Sequence, residues 1–303
     1  KHGKVSQIGP FAITPYLTDH SAFDAYMLQI DVADKRIFYT GDFRLHGRKG
    51  SLVQKLMAAP PSGIDVLLME GTNLGTDKPT RNEEALEDAF VDLFNETAGR
   101  VFVNWSAQNI DRTVTLYRAC LKTQRVLVID LYTAEVLETL AQFGRIPQPD
   151  WQAIKVLVSP NLARKYRQDG KEPFVDRMVT NGLAVRHLED SRARWVVMTR
   201  PALVKEYQAK GIQPDANDSW CWSNWSGYLN EPEGQALKGW FEAGGARGRH
   251  IHTSGHASPA DLRAFAMALQ PRRLVPIHGL AWDSDTAGFP PMVRLIDGET
   301  YVV

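Results

Sequence analysis

The chain has 303 residues, 44% of them hydrophobic, and its 35 basic and 35 acidic side chains cancel to a formal net charge of zero. That length supports a substantial core in about two domains, or in one large α/β domain with an insertion. Cancelled charge excludes a whole-molecule field that gathers polyanions, so nucleic acid would have to be met in a local groove. Cys120 and Cys221 are the only cysteines and provide neither a disulfide framework nor a Cys-x-x-Cys clip. This suits a reducing cytoplasm and leaves His and carboxylate side chains to hold any metal. No apolar run approaches the ~20 residues that span a bilayer, and no basic-then-apolar leader opens the sequence. The expectation is a soluble, cytoplasmic protein with no membrane partner.

Residues 5–40 alternate short apolar runs with polar breaks, which predicts a meander of strands with a hairpin turn at "ADK". "IDVLLME" is an apolar run ending in a carboxylate, the pattern of a buried strand, and "NEEALEDAFVDLFNETAG" has helical spacing with a glycine stop. "RVFVNW" and "RVLVID" read as buried strands on either side of a helix opening at Ser106, a unit that builds a parallel sheet. Helices dominate the expectation for 131–215, apart from a strand at "WVVMTR". The aromatic, turn-rich segment 218–234 predicts a domain edge. It is followed by a helix over 234–246, a short strand "HIHTS", and a helix capped by Ser258 with Pro259 in its first turn. "RRLVPIHG" is a further buried strand, and "MVRLIDGETYVV" suggests a closing hairpin around Asp-Gly.

Four predicted strand ends carry polar residues that a structural strand does not need: His20, Asp42, Glu70 and His278. His256 in "TSGHAS" is a fifth site of this kind. Polar groups at successive strand ends on one edge of a sheet converge on a cleft, which is how α/β enzymes build their sites.

These motifs, "HSAFDAY", "YTGDFRLHG", "MEGTN", "HIHTSGHASPADL" and "VPIHG", stand in the order of the β-CASP branch of the metallo-β-lactamase superfamily. The sequence resembles that branch over nearly its whole length, and within it the ribonuclease J family most. The resemblance implies an α/β fold, a metallo-β-lactamase αββα sandwich with an inserted Rossmann-like β-CASP domain. Its expected limits are 1–95 for the first part, 96–233 for the insertion and 234–303 for the return. It also implies a zinc-dependent phosphodiester hydrolase, a nuclease acting on RNA or DNA, with a two-zinc centre. His20 and His278 would bind metal, Asp42 would bind and bridge, and Glu70 would orient His256, which would protonate the leaving oxygen. A bridging carboxylate and neutral imidazoles suit two cations a few ångströms apart.

The family's His-x-His-x-Asp-His motif, upstream of the position of His20, does not occur in the sequence. With His20, Asp42 and His278 as the remaining ligands, the metal site is expected to be incomplete and metal binding weak. The sandwich is accordingly read as incomplete at its N-terminus, a truncated piece of a longer enzyme that is inactive as it stands. A non-catalytic nucleic-acid-binding or scaffold homologue and a small-molecule hydrolase are the alternatives; the partners expected are a nucleic acid substrate, RNA or DNA, and a second copy of the chain in a homo-oligomer.

For substrate contacts the candidates are Arg44 beside the metal-site strand, Asn104, Ser106 and Arg112 around a helix N-terminus, and His252, Thr253, Ser254 and Gly255 before His256. Free backbone donors at a helix start can hold phosphate. The ordinary reading of each basic residue is a solvated face. Paired His250 and His252 spell half a zinc site but lack an acidic partner, so one is expected to face the core or a phosphate and the other solvent. His2, His46 and His187 read as solvated surface. Trp220, Trp222 and Trp225 would stack bases or, more commonly, fill a domain interface.

Overall fold

The computed structural model describes residues 2–77, 80–180 and 182–303. The chain packs as two compact units, Lys1–Asn82 with Ser254–Val303, and Glu83–Thr253. Relative to the limits expected at 95/96 and 233/234, the second unit begins earlier and ends later.

The first stretch builds β1 (Ser6–Ile8), β2 (Phe11–Leu17), β3 (Tyr26–Val32), β4 (Lys35–Tyr39), α1 (Gly50–Ala58) and β5 (Val66–Glu70). The middle stretch opens with α2 (Glu83–Glu96), β6 (Val101–Asn104), α3 (Ile110–Thr123), β7 (Val126–Asp130), α4 (Leu131–Leu140) and β8 (Ile154–Leu157). It continues through α5 (Pro160–Gln168), α6 (Glu172–Thr180), β9 (Trp195–Met198), α7 (Pro201–Ala209), β10 (Ser219–Trp222), α8 (Ser226–Leu229), α9 (Pro232–Ala243) and β11 (Arg247–His250). The chain returns with α10 (Pro259–Leu269) and β12 (Arg273–Ile277).

In the first unit one sheet has the order β1-β2-β3-β4-β5-β12. The meander β1 to β4 is antiparallel, with β3 and β4 joined by the short turn at Ala33–Asp34 where "ADK" is read. β4, β5 and β12 then run parallel. Because β2 is two reversals from β4, all four of β2, β4, β5 and β12 end at the same edge. The apolar side chains Met27, Phe38, Leu67, Met69 and Leu274 of the sheet pack with Val53 and Leu56 of α1 and Leu262, Phe265 and Leu269 of α10. Burying each such side chain contributes ~1.5–3 kcal/mol. Ser258 caps α10 by accepting the Asp261 N–H at 3.1 Å, and Pro259 fills its first turn, as the sequence suggests.

The second unit carries an all-parallel sheet, β11-β10-β6-β9-β7-β8. β6, β7, β9 and β10 are buried at every residue, as parallel strands covered on both faces must be. Arg100 and Asp218 pair at 2.8 Å with both side chains fully buried.

Four local expectations are corrected. "AIKVLV" is strand β8 inside the stretch read as helical, its isolated Lys155 having blurred an apolar run. Segment 218–234 contains β10 in the interior of the sheet, so Trp220 and Trp222 mark a strand and not a domain edge. The strand expected at "HIHTS" lies earlier, at Arg247–His250. The closing hairpin does not form: from 291 onward the chain makes one bridge, Leu274 to Met292, since Asp-Gly alone cannot pair strands without a face to bury.

Candidate active site

Four strand ends bring His20, Asp42, Glu70 and His278 to one edge of the first unit's sheet, and the loop entering α10 adds His256. Ligand atoms of Asp42, Glu70, His256 and His278 all lie within 4.8 Å of one another. His20 stands beside them, its ring centroid 5.6 Å from that of His256, which is 5.5 Å from His278. Thus all the residues singled out at strand ends are brought together.

Glu70 is fully buried. Its Oε1 accepts the Phe43 N–H at 3.0 Å, and Oε2 accepts the Thr72 N–H at 3.3 Å and a bond from His256 Nδ1 at 3.0 Å. The last bond fixes the His256 tautomer: a carboxylate only accepts, so Nδ1 carries the proton and Nε2 faces the site. Burial disfavours the charged ring, but the bond to Glu70, its charge and that of Asp42 outweigh burial and hold His256 above its ordinary pKa.

His20 is set differently. Its Nδ1 donates to the Gly255 carbonyl at 2.7 Å, which leaves Nε2 as the nitrogen with a lone pair. Burial, opposed by the Gly255 bond, lowers its pKa and keeps the ring neutral, the form a metal needs. At His278 the backbone is left-handed, with φ of +45°, a conformation of order 1 kcal/mol or more above the ordinary one. Its carbonyl accepts from Gly71 N–H at 3.2 Å and Thr72 Oγ1 at 3.1 Å, and its Nδ1 lies 2.6 Å from Asp42 Oδ1. The glycines after Glu70 and His278 let these strand ends cross: a Cβ on Gly71 would sit 2.2 Å from the Trp282 ring, and one on Gly279 would sit 2.6 Å from the Gly71 carbonyl.

Residues that the sequence did not single out hold the His256 loop. Asn73 Nδ2 lies 3.0–3.1 Å from Ser254 Oγ and from the His256 and Ala257 carbonyls, and Ser254 Oγ also accepts the His256 N–H at 3.1 Å. The only signal for Asn73 is its place in "MEGTN". His46 is not free surface, since its Nε2 meets the Ser254 carbonyl at 2.8 Å. Asp19, next to His20, is fully buried against Arg44.

Several substrate candidates prove structural. Arg44 is fully buried, with Nε 3.3 Å from Asp19 Oδ1 and Nη1 3.3 Å from the Ser254 carbonyl, so it braces the loop and cannot reach a phosphate in solvent. In the second unit Arg112 is equally buried, paired with Glu83 and bonded to the Ser223 carbonyl. Asn104 donates to the Thr199 carbonyl at 2.9 Å, and Thr253 is buried. The helix after β6 is capped by Asn109, whose side chain accepts the Arg112 N–H at 3.1 Å, while exposed Ser106 lies in the preceding turn. His250 and His252 stack with planes 15° apart, and burial together with the charge of Arg112 lowers His252 to about 4. Ser254 and Gly255 alone of these candidates adjoin the clustered residues. Among the described residues no helix is long and apolar enough to cross a membrane.

Residues 246–286 match the family described as "Zn-dependent metallo-hydrolase RNA specificity domain". Ribonuclease J of Synechocystis sp. is 24% identical over 86% of this chain and 39% of its own length. Ribonuclease J of Mycobacterium tuberculosis is 21% identical over 92% and 48%. Cleavage and polyadenylation specificity factor 73 of Drosophila melanogaster is 25% identical over 87% of this chain and 39% of its length. The chain therefore spans 39–48% of the length of these curated relatives. In fold it is similar to a protein of unknown function from Enterococcus faecalis V583, with a TM-score of 0.79 at 21% identity, over 99% of this chain and 65% of that one. With the strand-end motifs in place on this architecture, the chain is similar to ribonuclease J and resembles the β-CASP branch of the metallo-β-lactamase family.

Proposed function

We propose that this chain carries the reaction site of a zinc-dependent phosphodiester hydrolase acting on RNA. The observation that carries the reading is the convergence of Asp42, Glu70, His256 and His278 within 4.8 Å at one sheet edge, with His20 beside them. The names of the family match and of the ribonuclease relatives support RNA as the substrate.

The donor set fits zinc. Two carboxylates and two imidazoles converge within 4.8 Å of one another, and zinc takes N and O donors of these kinds at about 2.0–2.2 Å; Glu70 and His256 are committed to each other, which leaves Asp42 and His278 to face a cation. Asp42 and His278 would hold it, with Nε2 of His20 oriented for the same purpose by the Gly255 carbonyl. When bound, zinc supplies Lewis-acid charge to the phosphoryl oxygens and makes water a nucleophile near neutral pH. The protein's own part is proton delivery and placement. His256, held by Glu70 and raised in pKa, presents a proton on Nε2 to the leaving oxygen. Glu70 in turn is fixed by two backbone N–H groups, so the imidazole cannot swing away.

The experiment is cleavage of a labelled oligoribonucleotide by the gene's complete product, with metal content measured in parallel. Cleavage that is abolished by His278→Ala and by chelation supports the reading. Cleavage indifferent to both defeats it.

A further inference from the structure

The turn after β10 and the short helix α8 expose two aromatic rings side by side. Trp225 is 56% and Tyr228 54% exposed, whereas Trp220 and Trp222 in the adjoining strand are buried. The ring centroids of the exposed pair are 5.3 Å apart and their planes stand at 90°. The backbone beneath them is tied down. Trp222 Nε1 and the Tyr228 N–H donate to the Trp225 carbonyl at 3.0 and 3.2 Å. A Cβ on Gly227 would stand 2.1 Å from the Trp225 ring, so that ring lies against bare backbone. A ring braced in this way loses little freedom on binding.

The surrounding charge selects what they bind. β11, the edge strand beside β10, exposes every residue of Arg247–His250. Arg249 pairs with the Glu96 carboxylate, whereas Arg247 donates to the Glu96 backbone carbonyl at 3.1 Å. His250 Nε2 meets the Asn224 carbonyl at 3.0 Å, which ties the basic edge to the aromatic loop. Beyond Tyr228, whose carbonyl accepts the Glu231 N–H at 3.3 Å, Glu231 and Glu233 stand exposed at the start of α9. A polyanion is therefore favoured along β11 over the start of α9. Single-stranded nucleic acid meets both needs, since each base has a face to stack and each phosphate a charge to place.

We propose that Trp225 and Tyr228 form a base-stacking platform for single-stranded RNA whose phosphates follow β11. The proposal rests on RNA being the substrate, as argued above. It is tested by anisotropy of a short fluorescein-labelled oligouridylate with the full chain in EDTA, where no turnover intervenes. Trp225→Ala and Tyr228→Ala should each raise Kd roughly tenfold, while Trp225→Phe, which keeps a ring, should stay within about threefold of the parent. Arg249→Gln should flatten the salt dependence of Kd, and Trp225→Ala should leave that slope unchanged. Equal Kd values for the parent and both alanine variants would overturn the platform and leave the nuclease reading standing. A parent chain that binds no RNA would overturn both.

Discussion

Arg44 offers a direct contest between two roles. A guanidinium reaching for substrate phosphate would be solvated, and its loss would leave stability within about 0.5 kcal/mol of the parent. In the structure Arg44 and Asp19 are each 0% exposed and 3.3 Å apart, and the same guanidinium meets the Ser254 carbonyl. Arg44→Met removes a cation held against a buried carboxylate, a change that costs about 3–5 kcal/mol. For a chain of this size each kcal/mol moves Tm by ~3 °C, so the melting transition of the first unit should fall by roughly 10 °C. The partner change supplies the internal control. With Asp19→Leu added, no buried charge is left stranded, and the double variant should recover most of the loss. Differential scanning calorimetry of the parent, both single variants and the double variant reads this coupling directly. A Tm for Arg44→Met within a few degrees of the parent, with no coupling to Asp19, would refute the buried brace and return Arg44 to the surface.

Other outcomes follow from the same geometry. His256→Ala in the complete protein should lower turnover by about 10²–10⁴-fold, the usual worth of a general acid, while zinc content by elemental analysis stays unchanged; lost zinc would make His256 a ligand. Asn73→Ala strips the shared donor from Ser254 Oγ and two carbonyls and should destabilise the chain by ~1–3 kcal/mol in urea unfolding, with unchanged stability counting against the brace. For His252 the ordinary pKa of 6.5 falls to about 4 on folding. The unfolded chain thus takes up a proton that the folded chain refuses, and stability declines as pH falls between these values, by up to ~3 kcal/mol. His252→Gln should flatten that decline in denaturation curves measured across the interval, and an unaltered slope would assign it to other groups.

The strand-end histidines and carboxylates were legible because a buried strand that ends in a polar residue is anomalous locally, and the anomaly recurs at His20, Asp42, Glu70 and His278. Their convergence depends on strand direction, which follows from β2 and β4 lying two reversals apart and β4, β5 and β12 running parallel. The basic candidates were misread for the complementary reason. Arg44 stands between Phe43 and Leu45 and Arg112 between Asp111 and Thr113, and nothing local distinguishes a solvated guanidinium from one buried against Asp19 or Glu83, since those partners lie 25 and 29 residues away. Asn73 was missed because its acceptors lie more than 180 residues along the chain. Chemistry displayed at an element's end is local and readable, whereas the braces holding it are long-range. The consequence is an asymmetry in what variation should do here. Replacing His256 should alter the reaction and leave the fold intact. Replacing Arg44, Asp19 or Asn73 should loosen the Ser254–His256 loop and lower stability and turnover together, so measuring both quantities on one variant separates reacting groups from the frame that places them.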